Sequence, residues 1–248
     1  MSESTNHRTF VVGDIHGCYD ELMDLLDEVD LAETDRVIAV GDLIVKGPKN
    51  REVLDLFISD PRFSSVLGNH DLAVLSFLDK RDQRYTRPQK KTGKELEGER
   101  EKYLRFLASL PLYIDLKTHL IVHAGVRPGV ALGLQDTSDL LELRTLGENP
   151  TRRRGTPWYK VYDGEKFVLF GHWPRKHPQR GPRALGLDTG CVYGNRLTAY
   201  LVETGEIFSV PAREPYSRGS KQLSRELAAP LPSDQTIPTP LSTESVHA

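Results

Sequence analysis

An aspartate and a histidine stand two residues apart, bracketed by glycine, in Gly13-Asp14-Ile15-His16-Gly17. The theme recurs four times further on, as a short apolar run followed by a metal-seeking side chain beside a glycine. Val37-Ile38-Ala39-Val40 leads to Gly41-Asp42, and Val66-Leu67 to Gly68-Asn69-His70. Leu120-Ile121-Val122 leads to His123-Ala124-Gly125, and Phe167-Val168-Leu169-Phe170 to Gly171-His172. Short apolar runs of this kind read as buried strands. If those strands share a central layer, their ends converge on the crevice where α/β sheets bind ligands.

Carboxylate, carboxamide and imidazole donors suit divalent metal ions. Asp14, His16, Asp42, Asn69, His123 and His172 supply six. Asp42 is placed to bridge two ions, with Asp14 and His16 completing one and Asn69, His123 and His172 the other. Two ions about 3.5–4 Å apart lower the pKa of a water between them and clamp an in-line displacement at phosphorus. Singly, each residue has a plainer explanation: Asp14 and Asp42 as helix caps, Asn69 in a turn, His123 and His172 as hydrogen-bonded core histidines. The set overrides these, because four of the eight histidines lie at strand ends in glycine-bounded motifs. His7, His119, His177 and His247 lack that context and read as ordinary.

The elements that must carry these residues follow a β-loop-α order. Leu22, Leu25, Leu26 and Val29 fall at helical spacing after the first motif, with acids opposite. Arg36–Val40 reads as the second strand, Asn50–Ile58 as a helix, Ser64–Leu67 as the third strand, and a helix runs from His70 to Leu78. Three such repeats favour parallel pairing. The basic stretch from Lys80 to Gly98 reads as a polar excursion, and Glu99–Leu110 as a helix stopped by Pro111. Tyr113–Leu116 and Leu120–Val122 form an expected hairpin, and Asp136–Leu143 a short helix. Thr151–Trp158 reads as basic and irregular. Strands at Lys166–Phe170, Ala184–Leu187, Leu197–Val202 and Ile207–Val210 make the last third a set of β hairpins. The whole suggests an α/β fold of two packed sheets with helices outside. Residues 1–213 are the expected catalytic domain, and the Pro/Ser/Thr-rich 214–248 a disordered tail.

A chain of 248 residues suits one domain with a real core. Net charge is −2, so nothing global draws it to nucleic acid or anionic membrane. The first eight residues lack the apolar stretch of a signal peptide, and no run approaches a membrane span. Cys18 and Cys191 are too few for a disulfide framework, and read as small apolar fillers in a reduced, cytoplasmic protein. Oligomeric state leaves no trace in the sequence.

The five motifs together resemble the calcineurin-like metallophosphoesterases of the phosphoprotein-phosphatase superfamily, over about residues 9 to 210. That resemblance implies a four-layer α/β/β/α sandwich and a dinuclear site. Manganese is the first choice there, with iron, zinc, cobalt or nickel as alternatives. Phosphoprotein phosphatases of the superfamily carry Asp-Arg after the second Gly-Asp motif, the acid orienting a general-acid histidine and the arginine binding phosphate. Here the pair is Val45-Lys46, which resembles the diadenosine-tetraphosphatase (ApaH) and ApaH-like branch. Gly186-Leu-Asp-Thr-Gly-Cys-Val-Tyr-Gly194 is similar to that branch as well.

The substitution has a chemical consequence. A serine alkoxide leaves poorly, its conjugate acid having a pKa near that of water, about 16, whereas phosphate has a second pKa of about 6 and departs without a proton. His70 is the candidate acid, Val45 cannot orient it, and the choice left is a site relaxed toward phosphoanhydrides or one in which Asp71 or a water orients His70. The resemblance makes Lys46 and Arg144 the phosphate-binding cations. Arg and Lys residues of Lys80–Lys94, Arg152–Arg154 and Arg175–Arg183 are expected to rim the site, with Trp158, Trp173 and Tyr193 as nucleobase stackers. The expected activity is two-metal hydrolysis of a small anionic substrate, a dinucleoside polyphosphate, by a hydroxide bridging the ions. A Ser/Thr phosphoprotein, polyphosphate and capped RNA are the alternative substrates, and a silent binder of polyphosphorylated ligands is the alternative class.

Overall fold

The computed structural model describes residues 7–81, 83–147, 149–219 and 227. Strands β1 (Thr9–Val12), β2 (Arg36–Ala39) and β3 (Phe63–Ser65) are parallel, linked through helices α1 (Tyr19–Glu28) and α2 (Asn50–Ser59). Helices α3 (Asn69–Leu78), α4 (Arg87–Leu96) and α5 (Arg100–Ser109) follow. A second sheet begins with the antiparallel hairpin of β4 (Tyr113–Asp115) and β5 (His119–Val122). After α6 (Thr137–Glu142), a small ribbon of β6 (Thr145–Leu146) and β7 (Thr156–Pro157) leads into the short α7 (Trp158–Val161). Strands β8 (Phe167–Phe170), β9 (Gln179–Arg180) and β10 (Ala184–Gly186) complete the second sheet in the order β4-β5-β8-β10-β9. The hairpin of β11 (Arg196–Leu201) and β12 (Ile207–Pro211) returns to the first, giving β12-β11-β1-β2-β3.

Strand alternation sorts the apolar side chains into layers. Val11, Ile38 and Val40 meet Ile121, Leu169 and Leu185 between the sheets. Their strand neighbours Val12, Val37 and Ala39 face outward onto Leu22 and Leu25 of α1 and Val53, Leu54 and Phe57 of α2. On the far side, Leu120, Val122, Val168 and Phe170 pack under Leu140, Trp158 and Tyr159. The result is the expected α/β sandwich, with helices on both outer faces. Among the described residues no helix is long and apolar enough to cross a membrane.

Three expectations change. The stretch from Lys80 to Gly98 contains α4, an N-capped helix in which Thr86 and Gln89 form a reciprocal capping box. It packs closely on α3, because Gly93 lies against the ring of Phe77, where a Cβ would come within 2.3 Å of Cδ1. The last third is not all hairpins: β8 pairs in parallel with both β5 and β10. Thr151–Trp158 is not wholly irregular either, since β7 and the start of α7 fall in it. The tail from 214 lies outside the described residues except for 214–219 and Leu227. Its start is held on α1: the Tyr216 hydroxyl donates to Glu21 Oε1, as does the N–H of the preceding Arg213.

Candidate metal centre

The C-terminal ends of six strands face one crevice. From the first sheet, β1 delivers Asp14 and His16, β2 delivers Asp42, and β3 delivers Asn69 and His70 at the start of α3. From the second, β5 delivers His123 and β8 delivers His172. The sixth, β10, delivers Asp188. Backbone bonds lock the loops together: the His16 N–H donates to Asp42 O at 2.8 Å, and the Gly171 N–H to His123 O at 2.8 Å.

The chain reaches this geometry through strained turns. His16, Asp42, Val45, Lys46 and His172 all have φ between +51° and +78°, a region that side chains with a Cβ avoid. Val45 at +78° is the most costly, being β-branched. Strain of this kind persists only where the surroundings over-determine it, and it gathers at functional sites. Two glycines are fixed by contact instead. A Cβ on Gly171 would lie 2.0 Å from Asp14 Oδ1, and one on Gly68 would lie 2.1 Å from the Asp42 nitrogen.

The imidazoles are oriented by carbonyls, as metal-ligating histidines commonly are. His16 Nδ1–H donates to Ile44 O at 3.1 Å, and His123 Nδ1–H to Val40 O at 2.9 Å. That leaves both Nε2 atoms as lone pairs directed into the crevice. Asn69 Oδ1 lies 3.0 Å from His123 Nε2 and 3.0 Å from His172 Nδ1, and Asp42 Oδ1 lies 3.6 Å from His123 Nε2. Donors bound at right angles about 2.1 Å from one ion stand about 3.0 Å apart. The His123–Asn69 approach sets acceptor against acceptor, which an intervening cation resolves. Whichever way the Asn69 amide is turned, His172 Nε2 remains buried with no hydrogen-bond partner. On the other side, Asp42 Oδ2 lies 3.5 Å from His16 Nε2. Asp14, Asp42 and His123 form one group of donor atoms and His16, Asp42 and His70 another, each within 4.8 Å. The chemistry and spacing of these donors fit divalent metal ions, and Asp42 belongs to both groups.

Electrostatics agree with that fit. Burial holds His16 and His172 well below the ordinary imidazole range, with Lys46 and Arg144 adding to it respectively. Burial takes His123 down to about 4. These rings are neutral and able to donate lone pairs. Burial also raises Asp14 well above the carboxylate range, with Asp188 and Asp42 adding, and lifts Asp42 to about 6 and Asp188 to about 7. Crowded buried carboxylates gain from nearby positive charge.

Lys46, Arg144 and Arg153 line the same cleft, with Tyr193 beside them. Lys46 Nζ stands 2.8 Å from His16 Nε2 and 5.6 Å over the Tyr193 ring. Arg144 is not on a helix but follows the end of α6. Its Nη1 donates to Thr151 O at 2.8 Å, and its Nε is buried without a partner. Burial, with Arg153 next, lowers its pKa. The broader rim is narrower than the sequence suggested. Trp158 and Trp173 are core residues, with Trp158 Nε1 donating to Ala124 O at 3.1 Å. Of the three aromatics expected to stack a base, Tyr193 alone lines the cleft. Arg175 is turned over the Trp173 ring.

Asn50 and Gln89 were not read from the sequence, Asp71 was weighed only as a partner of His70, and Asp188 was quoted only within the Gly186–Gly194 stretch. Asp188 follows β10 without the glycine-then-histidine cue of the others. Asn50 braces the strained loop, its Oδ1 accepting the Val45 N–H at 2.8 Å. Asp71 takes the N–H groups of Leu43, Ile44 and Gly68 at 3.2–3.3 Å. It therefore supports the Asp42 loop and does not orient His70. Gln89 of α4 lies against His70 instead.

Residues 7–205 match the model of the calcineurin-like phosphoesterase family. An asymmetrical bis(5'-nucleosyl)-tetraphosphatase PrpE of Geobacillus sp. strain WCH70 is 32% identical, covering 83% of this chain and 95% of its own. A symmetrical bis(5'-nucleosyl)-tetraphosphatase of Vibrio parahaemolyticus is 30% identical, covering 82% and 98%. A crystal structure of a proposed diadenosine tetraphosphatase superposes with a TM-score of 0.73 at 34% identity, covering 84% of this chain and 95% of its own. A Saccharomyces cerevisiae Ser/Thr phosphatase shares the fold, with a TM-score of 0.63 at 15% identity. The chain belongs to the calcineurin-like phosphoesterase family, whose chemistry is metal-dependent hydrolysis at phosphorus.

Proposed function

We propose that this protein hydrolyses a phosphoanhydride bond of dinucleoside polyphosphates, with a dinucleoside tetraphosphate as the preferred substrate. The observation that carries this reading is the grouping of Lys46, Arg144, Arg153 and Tyr193 in the same cleft as His16, Asp42, Asn69 and His172. Three cations suit a chain of phosphates better than a single phosphoester, and an aromatic ring beside them suits a base. The relatives named above, asymmetrical and symmetrical tetraphosphatases, support the substrate class.

Asp14, His16 and Asp42 would hold one ion, and Asp42, Asn69, His123 and His172 the other. Bound divalent ions, manganese first, would supply charge to the phosphoryl oxygens and bring a water's pKa toward neutrality. The chain's own groups do the rest. Lys46, whose Nζ stands in the cleft 2.8 Å from His16 Nε2, would pair with a phosphoryl oxygen. Arg144, held by Thr151 O, gives a fixed donor to the same group. His70 borders the leaving oxygen and donates a hydrogen bond to it. Two buried free thiols suit the reducing cytoplasm.

The test is product analysis on diadenosine tetraphosphate with manganese. Turnover is expected, and two ADP or ATP plus AMP identifies the bond cut. Faster hydrolysis of a phosphoserine peptide at equal concentration, or of polyphosphate or capped RNA with none of the dinucleotide, overturns the substrate assignment. Exhaustive chelation is expected to abolish turnover and lower Tm together, because ligands of the native state stabilise it. Manganese should restore both. Retained activity after chelation, with metal analysis showing none bound, refutes the ion pair.

A further inference from the structure

Helix α4 reaches the site through one side chain. Gln89 is buried and its carboxamide is pinned at one end. Its Oε1 accepts the Thr86 backbone N–H at 2.8 Å, and its own backbone N–H approaches Thr86 Oγ1 at 3.5 Å. A backbone N–H can only donate, so the atom facing it must be the amide oxygen. This removes the usual ambiguity of a carboxamide. The amide NH2 is therefore the end that lies 3.4 Å from His70 Nδ1. Facing a donor, Nδ1 must accept, and the ring's proton sits on Nε2, the nitrogen that points away from Gln89.

Among the described residues no other side chain is hydrogen-bonded to His70 Nδ1. Val45 has no polar side-chain atom, and Asp71 is committed to three backbone N–H groups of the Asp42 loop. We propose that Gln89 is the positioning residue of His70, its amide NH2 fixing the ring so that Nδ1 accepts and Nε2–H is turned away from α4 toward the leaving group. A carboxylate in its place would instead accept from an Nδ1–H and present the Nε2 lone pair there. An amide NH2 cannot face an Nδ1–H. The ring then offers a fixed Nε2–H hydrogen bond, which suits a departing phosphate, whose second pKa is about 6. The chain thus answers the Val45 substitution from a different element. This inference rests on the proposed placement of His70 at the leaving group.

The test uses the full chain loaded with zinc, with Q89E and Q89L beside the native protein. Glu is at home at this capping-box position, so Q89E keeps α4 capped. Nitrogen-15 NMR of labelled histidine reads the tautomer, and steady-state assays on diadenosine tetraphosphate read kcat and KM. The native His70 should show an unprotonated Nδ1. Q89E should carry an Nδ1–H and lower kcat about tenfold with KM unchanged, the scale of groups that act through a neighbour. Q89L should lower kcat with KM unchanged and leave the tautomer mixed. A native Nδ1–H, or an unchanged kcat in both variants at equal metal content, overturns the proposal. Failure of the native protein to hydrolyse the dinucleotide would instead strike the substrate assignment, and the NMR result would still judge Gln89.

Discussion

The geometry of the centre hangs on atoms that have no room to move. Gly171 brings its backbone against the Asp14 carboxylate, and an added methyl would sit 2.0 Å from Oδ1 and 2.6 Å from Val40 Cγ2. Asp14 also accepts the His172 N–H at 3.1 Å, so displacing it moves two expected ligands at once. Gly171→Ala is predicted to cut turnover about a hundredfold, the cost of misplacing a reacting group by about 1 Å. Metal analysis should show depleted occupancy, with far-UV circular dichroism unchanged. The six expected ligands were visible in the sequence because each follows a strand, five of them border a glycine, and His123 stands two residues before Gly125. Asp188 follows a strand too, two residues before Gly190, but no histidine accompanies it. Asn50 and Gln89 were hidden for another reason: they act on a backbone group and on His70, and partners remote in sequence leave no spacing to read.

Among elements, the longer strands were legible, whereas α4 and the two-residue strands β6, β7 and β9 were not. Buried strands announce themselves as Val- and Ile-rich runs, and β1, β2, β5 and β8 are of that kind. Helix α4 reads Arg-Pro-Gln-Lys-Lys-Thr-Gly-Lys-Glu-Leu. It buries polar and small residues, Gln89, Thr92 and Gly93, with Leu96 alone as a large apolar anchor. The Thr86–Gln89 capping pair was its one sequence signal. A second polar anchor joins β1 to the loop before β2. Arg8 Nε bonds both oxygens of buried Asp35 at 3.1–3.2 Å, and the Ala32 N–H adds a further donor at 2.8 Å. Burial alone would raise the Asp35 carboxyl, but these bonds outweigh it and hold its pKa below the usual range. The folded pKa is depressed, so the stabilisation is complete above the unfolded value of about 3.9 and disappears as pH falls through the lower folded one. Asp35→Asn is predicted to cost about 1–3 kcal/mol in urea unfolding at neutral pH. That gap should stay flat down to about pH 5 and shrink below about pH 4.

At the scale of the whole molecule, the two sheets share one apolar seam. Ile121 sits in it fully buried, between Val11 and Ile38 of one sheet and Leu169 of its own. Ile121→Ala is predicted to cost about 2–5 kcal/mol. Tryptophan fluorescence and far-UV circular dichroism should lose their signals at one shared midpoint, since no half of the seam can stay packed alone. Two separated transitions would contradict this. The arrangement of six strand tips has one more consequence. On the proposed assignment, one ion takes Asp42 and Asn69 from the first sheet and His123 and His172 from the second. It works as a rivet across the join, and neither leaf by itself offers it four donors. A nascent chain would remain inert toward nucleotides until both leaves had docked, and two co-expressed halves divided near residue 112 should find each other more readily as manganese in the medium rises.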